Sequence, residues 1–272
     1  MKDIKKFAVI GSPIDHSLSP MIHSLFAKKL GIPISYEAIK VERENFSSSV
    51  RGLFEDGYSG INVTLPLKEE AFKFADSLSD EALLSESVNT LWRKDDSLIY
   101  ADTTDGRGLI QDFLRKKIEL KGLKVLILGA GGSAKAVIPA LLKKNPQSII
   151  IANRTIEKAE LLLKRFSSLH NNLKAISISD EIAFQPDLII NASSAGVLGQ
   201  DIEFPDNIFS KETIVYDLSY SADNTPFVDL ALSKGVEKCY DGIGMLIEQA
   251  ALSFEIWTHQ KPDTNLKKNT LL

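Results

Sequence analysis

The run Lys124-Val-Leu-Ile-Leu128 passes without interruption into Gly129-Ala-Gly-Gly-Ser-Ala134, and a helical apolar pattern follows from Ala134 to Leu142. No other stretch narrows the fold as much. A short apolar run ending in glycine predicts a strand buried on both faces. Gly129, Gly131 and Ala134 fit the frame G-x-G-x-x-A, with Ala130, Gly132 and Ser133 completing the loop. Glycines there let the backbone turn tightly, and the small third residue lets the helix pack close to the strand. Free N–H groups at the helix start, aided by its dipole, then suit a pyrophosphate. A tight βα turn without ligand would use similar residues. The strand before and the helix after the loop favour dinucleotide binding.

The next strand-like run, Ile149–Ala152, ends in Asn153-Arg154-Thr155. An acid commonly sits there to take the ribose hydroxyls of NAD. Here an arginine stands in its place, with Lys158 one helical turn on. A guanidinium fork matches a 2′-phosphate and Thr155 adds a hydroxyl, so the segment reads as NADP-binding.

Around this loop, short β-rich runs alternate with helical patterns, which predicts an α/β chain with parallel strands. The runs are Phe7–Ile10, Ile34–Ile39, Gly60–Leu65, Val125–Leu128, Ile149–Ala152, Leu188–Asn191, Ile214–Asp217 and Val236–Tyr240. Ser19-Pro20 reads as N-cap and first residue of a helix ended by Gly31. Pro66 reads as opening a second helix, 106–118 suits a third, and Met245–Trp257 suits the last. The polar tail after Lys261 is expected to fray. Tyr100–Gly106 reads as a loop-rich break, and Tyr240-Asp241-Gly242 as another.

Lys and Arg total 32 against 36 Asp and Glu, a net charge of −4, so no broad basic field exists to hold nucleic acid. The single cysteine, Cys239, excludes an internal disulfide, and no Cys/His cluster has zinc-ligand spacing, so no metal site is expected. The first apolar run is too short for a signal peptide, and no uncharged stretch is long enough to span a membrane. A cytoplasmic location is expected. No apolar stripe demands a dimer interface, and a homodimer stays open.

Lys68 stands in Asn62-Val-Thr-Leu-Pro-Leu-Lys68, at a helix start where the dipole favours the following Glu69 and Glu70 over a cation. That awkward placement suits proton transfer. Asp105, at the entry to the 106–118 helix, has the plainer reading of an N-cap. Taken singly, each is better explained by structure than by catalysis. His16 adjoins Ser17 and Ser19, whereas His23, His170 and His259 look ordinary.

Taken together, these segments resemble the shikimate dehydrogenases, which reduce 3-dehydroshikimate with NADPH on the chorismate route to aromatic amino acids. The resemblance runs from Phe7 to about Trp257, with the motifs in order. His16-Ser-Leu-Ser-Pro20 is similar to the Ser-x-Ser loop, and Asn62–Lys68 to NVTxPxK. Val88-Asn-Thr90 is similar to VNT, and Asp102-Thr-Thr-Asp-Gly106 to DNTDG. The Gly129 loop and Asn153-Arg-Thr155 match the cofactor motifs, and Asp241–Ala250 matches DGxGMLxxQA. Departures are Thr103 for the usual Asn, Ser87 before Val88, and Ser193 in Asn191-Ala-Ser-Ser194 where Thr is common.

The resemblance implies an α/β fold of two domains, an N-terminal substrate and catalytic domain and a Rossmann-type NADP-binding domain, with the active site in the cleft between them. The expected boundaries are 1–104, 105–241 and a C-terminal helix, 242–272, returning to the first domain. It implies Lys68 and Asp105 as the catalytic pair. Ser17, Ser19, Thr64, Asn89, Asp105, Tyr220 and Gln249 would hold the substrate's carboxylate and hydroxyls. Gly242 and Met245 would flank the nicotinamide. A quinate/shikimate dehydrogenase that accepts NAD is the nearest alternative, and Arg154 with Lys158 argues against it. A cofactor-responsive regulator on the same fold would need neither Lys68 nor Asp105, and both are present.

Overall fold

A computed structural model describes residues 4–94, 97–169, 171–180, 184–193 and 206–272. Ser194 and His170 lie outside the described residues. The chain divides into two compact units, Met1–Leu109 with Leu246–Leu271, and Ile110–Met245 with Leu272.

The first unit opens with β1 (Lys5–Gly11), α1 (Ser19–Leu30), β2 (Ile34–Lys40), α2 (Phe46–Glu55), β3 (Tyr58–Val63) and α3 (Lys68–Phe74). There follow β4 (Ser77–Leu78), α4 (Asp80–Ser85), β5 (Thr90–Arg93), β6 (Ile99–Asp102) and the start of α5 (Asp105–Arg115). The sheet order is β2-β1-β3-β5-β6-β4. Phe7 to Ile10 are buried because β1 is paired in parallel on both sides, with β2 and β3. β5 runs antiparallel to β3 and to β6, so this sheet is mixed where parallel strands were expected. Only residues 94–98 separate β5 from β6. A parallel return needs a crossover of about a dozen residues or more, so so short a link forces an antiparallel pair.

Three local readings are corrected. Leu18, not Ser19, is the N-cap of α1, without a side-chain cap bond; the Ser17 Oγ instead accepts the Ser19 amide at 3.3 Å. Pro66 sits in a turn closed by the Leu67 amide on the Thr64 carbonyl (2.9 Å), and α3 begins at Lys68. Tyr100–Gly106 is not a loop-rich break, because it holds the end of β6 and the start of α5. Its polar residues are buried on one another, which is why polarity misled the reading.

The second unit contains β7 (Lys124–Leu128), α6 (Gly132–Leu142), β8 (Ser148–Asn153), α7 (Ile156–Phe166) and β9 (Leu173–Ser177). It continues with β10 (Leu188–Asn191), β11 (Ile214–Asp217), α8 (Pro226–Ser233) and β12 (Lys238–Tyr240). Every pair in this sheet is parallel, in the order β12-β11-β10-β7-β8-β9. That is the doubly wound order of dinucleotide-binding domains, with its switch point between β7 and β10. β9 is an edge strand whose half-exposed sequence carried no clear strand signal. α7 buries Ala159, Leu162 and Phe166 on one face.

α9 (Ile243–Thr258) begins where the second unit ends, and its residues from Leu246 onward group with the first unit. α10 (Lys268–Leu271) follows. The tail expected to fray instead buries Leu271 and pairs Asp263 with Lys29 at 3.1 Å. Among the described residues no helix is long and apolar enough to cross a membrane.

Candidate active site

In the first unit, Lys68 opens α3 and Asp105 opens α5, and the two meet: Lys68 Nζ lies 2.5 Å from Asp105 Oδ2. Their side chains are only 16% and 6% exposed. The other carboxylate oxygen accepts Asn89 Nδ2 at 2.8 Å. Asn89 is a hub. Its Nδ2 also reaches Thr104 Oγ1 (2.8 Å) and Gln249 Oε1 (3.0 Å), so three acceptors compete for two hydrogens. Its Oδ1 accepts the Thr104 amide (2.9 Å) and the Thr90 hydroxyl (2.8 Å). Gly108 of α5 has no Cβ because the Gln249 backbone of α9 fills that space.

The network continues through residues to which the sequence reading assigned no role. Asn62 Nδ2 donates to Ser253 Oγ at 3.0 Å, and Asn62 Oδ1 accepts the Tyr36 hydroxyl at 2.7 Å. Ser253 lies 2.7 Å from Thr90 Oγ1. Two signals could have found these residues: an asparagine inside the apolar β3, and a serine one helical turn after Gln249. His23, taken as ordinary, is fully buried and stacked on Tyr36 with ring centroids 4.3 Å apart. Neither ring nitrogen makes a hydrogen bond. Burial outweighs the nearby Asn62 amide and holds its pKa at about 3.

Asp102 anchors the segment that delivers Asp105. It accepts the Ser79 hydroxyl at 2.5 Å and the Thr103 amide at 2.8 Å, and pairs with Arg107. The Thr103 hydroxyl, at the position of the motif's usual Asn, is buried without a hydrogen-bond partner. Ser19 is buried beside the Tyr36 hydroxyl, Ser17 and Thr64 are half-buried, and His16 is exposed.

In the second unit, Gly129 has φ +103°, and a Cβ there would press on the Ala192–Ser193 backbone at the end of β10. Gly131, at the N-cap of α6, and Gly132 border open space. The Ala130 amide donates to Asn153 Oδ1 (3.1 Å), and Asn153 Nδ2 to the Thr155 carbonyl (2.8 Å), which ties the glycine turn to the end of β8. Ser133 is half-buried and Ala134 buried, close against the sheet. Arg154 and Lys158 are exposed, and Thr155 caps α7 without using its hydroxyl. At the end of β11, Asp217 accepts the Thr225 hydroxyl (2.6 Å), Asn191 Nδ2 (3.1 Å) and the Ser219 amide (3.0 Å). These bonds shape the turn that leads to the half-buried Tyr220. Gly242 donates its amide to the Ser219 carbonyl at 2.8 Å, and Met245 is buried in the first turn of α9.

Three family models match along the chain: a shikimate dehydrogenase substrate binding domain over residues 9–91, a shikimate/quinate 5-dehydrogenase domain over 112–245, and a shikimate 5′-dehydrogenase C-terminal domain over 242–272. The chain belongs to the shikimate dehydrogenase family. It is 45% identical to the NADP(+) shikimate dehydrogenase of Vibrio atlanticus, over 98% of each chain. With that of Marinobacter nauticus it shares 39% identity over 95% of each. It is similar to the solved shikimate 5-dehydrogenase of Thermus thermophilus in complex with NADP(H) and shikimate, with 32% identity, a TM-score of 0.86 and 98% of each chain covered.

Membership of the shikimate dehydrogenase family implies a dinucleotide, and the residues present fit one. The open faces of Gly131 and Gly132, the uncapped α6 N-terminus and the left-handed Gly129 form a cradle that side chains would fill. Arg154 and Lys158 supply cations, and no acid stands at the end of β8 to repel a 2′-phosphate.

Proposed function

We propose that the chain catalyses the reversible reduction of 3-dehydroshikimate to shikimate with NADPH, a step towards chorismate and the aromatic amino acids. The observation that carries this reading is the Lys68–Asp105 pair, held by Asn89, itself bonded to Gln249, in a nest of buried polar groups. A polyhydroxylated carbocyclic acid calls for many small donors and acceptors around one proton donor, and the first unit supplies them. Its residues 1–104 form the substrate and catalytic part in this reading, and 105–241 the NADP-binding part, with 242–272 returning to the first.

Bound NADPH supplies the hydride that goes to the substrate's carbonyl carbon. Lys68 donates a proton from its ammonium to the carbonyl oxygen as negative charge grows there. Asp105 holds the Lys68 ammonium in place and receives a hydrogen bond from the substrate hydroxyl. Asn89 keeps Asp105 aimed and, with more acceptors than hydrogens, exchanges one partner for a substrate oxygen at little loss. Ser17 and Ser19 bind the carboxylate, while Thr64, Tyr220 and Gln249 take the hydroxyls. Gly129, Ala130, Gly131, Gly132, Ser133 and Ala134 hold the pyrophosphate, and Asn153, Arg154, Thr155 and Lys158 the adenosine 2′-phosphate. Gly242 and Met245 flank the nicotinamide.

The test is Lys68→Ala. kcat is expected to fall about 10²–10⁴-fold, the range for a lost general acid, with KM for shikimate little changed. A variant with near-normal kcat removes Lys68 from the mechanism.

A further inference from the structure

Asp112 on α5 and Lys116 just past the end of that helix stand four residues apart, and neither belongs to the site described above. Asp112 is buried, with a side chain only 3% exposed, and its partners come from β11, from the chain just past α5 and from the start of α9. From the end of β11, the Tyr216 hydroxyl donates to Asp112 Oδ2 at 2.7 Å. Lys116 Nζ lies 2.8 Å from the same carboxylate and 5.3 Å from the centre of the Tyr240 ring, which ends β12. The Gly244 backbone packs on the carboxylate so closely that a Cβ there would fall on it.

The first amides of a helix have no intrahelical acceptor. At α9, Asp241 Oδ1 takes the Ile243 amide at 3.2 Å, and the Met245 amide faces the Tyr216 hydroxyl. The turn 242–245 is therefore fixed at once from β11, β12 and α5. A buried, paired carboxylate adds little net stability but determines where its partners sit.

We propose that Asp112, with Tyr216 and Lys116, is a positioning cluster that sets where the Gly242–Met245 turn meets the nicotinamide ring, and so governs hydride transfer without touching cofactor or substrate. This rests on the reading that Gly242 and Met245 flank the nicotinamide.

The experiment compares wild type with Tyr216→Phe and Asp112→Asn. In the cofactor-free protein, amide exchange of residues 243–246 is expected to rise about tenfold in Tyr216→Phe, as for one lost hydrogen bond, with β7 and α6 unchanged. In turnover, kcat falls about 10–10²-fold, the effect of a small misplacement. The isotope effect from 4-deuterated NADPH grows, and KM for 3-dehydroshikimate holds. Asp112→Asn keeps an acceptor for Tyr216 and falls between Tyr216→Phe and wild type. Wild-type exchange in Tyr216→Phe overturns the proposal. So does a lowered Tm with kcat and isotope effect unchanged, which marks a merely structural role. Met245→Ala separates the two readings. If it lowers kcat while Tyr216→Phe does not, the positioning role alone fails; if both leave kcat and isotope effect untouched, the nicotinamide assignment fails with it.

Discussion

In the proposed function the choice of NADP rests on Arg154 more than on any other single side chain, because it stands where an acid would favour NAD. Arg154→Asp removes a bidentate donor and adds a repelling charge. Binding of NADPH is expected to weaken about 10–100-fold, as for a lost charge-assisted hydrogen bond, with NADH nearly untouched. Equal losses for both, read by titration of nicotinamide fluorescence, would refute the 2′-phosphate role. His23 makes a different prediction. It is neutral when buried, with a pKa of about 3 against 6.5 when free. Between those values the unfolded chain binds the extra proton, so stability is complete above about pH 6.5 and drains away as pH falls, by at most about 1.4 kcal/mol per pH unit. His23→Phe should flatten the decline in Tm between pH 7 and pH 4; an unchanged slope would show that other groups set it. Lys68 and Asp105 were visible in the sequence as polar residues at helix starts. The Asn89 hub was not, because its partners come from 15 and 160 residues away.

Elements were legible where the chain is apolar on both faces. β7 and β10 are buried along nearly their whole length, and their sequences announce it. β5, β6 and β9 are short and part polar, and their pairing depends on neighbours that no local pattern reveals. The same holds for the fit of α9 on the first sheet. Trp257 stacks on Phe7 with centroids 4.8 Å apart and donates to the Leu91 carbonyl at 3.2 Å, and its indole occupies the space beside Gly60. Gly60→Ala must therefore displace a ring held on three sides, which costs about 1–3 kcal/mol. Gly52, inside α2 and facing open space, gives the contrast: Gly52→Ala should stabilise by about 0.5–1 kcal/mol through helix propensity. Thermal unfolding of the pair checks both signs, and a neutral Gly60→Ala would mean that Trp257 moves freely.

Over the whole molecule, the alternation of strand and helix was enough to give an α/β chain, and the glycine turn enough to locate its dinucleotide unit. The mixed order of the first sheet was not readable, since the short link between β5 and β6 looks like any polar turn. The return of the C-terminal helix was expected, and the residues of α9 from Leu246 onward do group with residues 1–109, although the contacts that hold them there are long-range ones no local pattern reveals. The proposed activity is one reaction with one pair of molecules. The decisive measurement follows nicotinamide absorbance with the purified protein, offering shikimate or quinate, each with NADP or NAD. Rapid reduction of NADP with shikimate is expected, and little with the other pairs. Tight NADPH binding without turnover of any pair would overturn the proposed function.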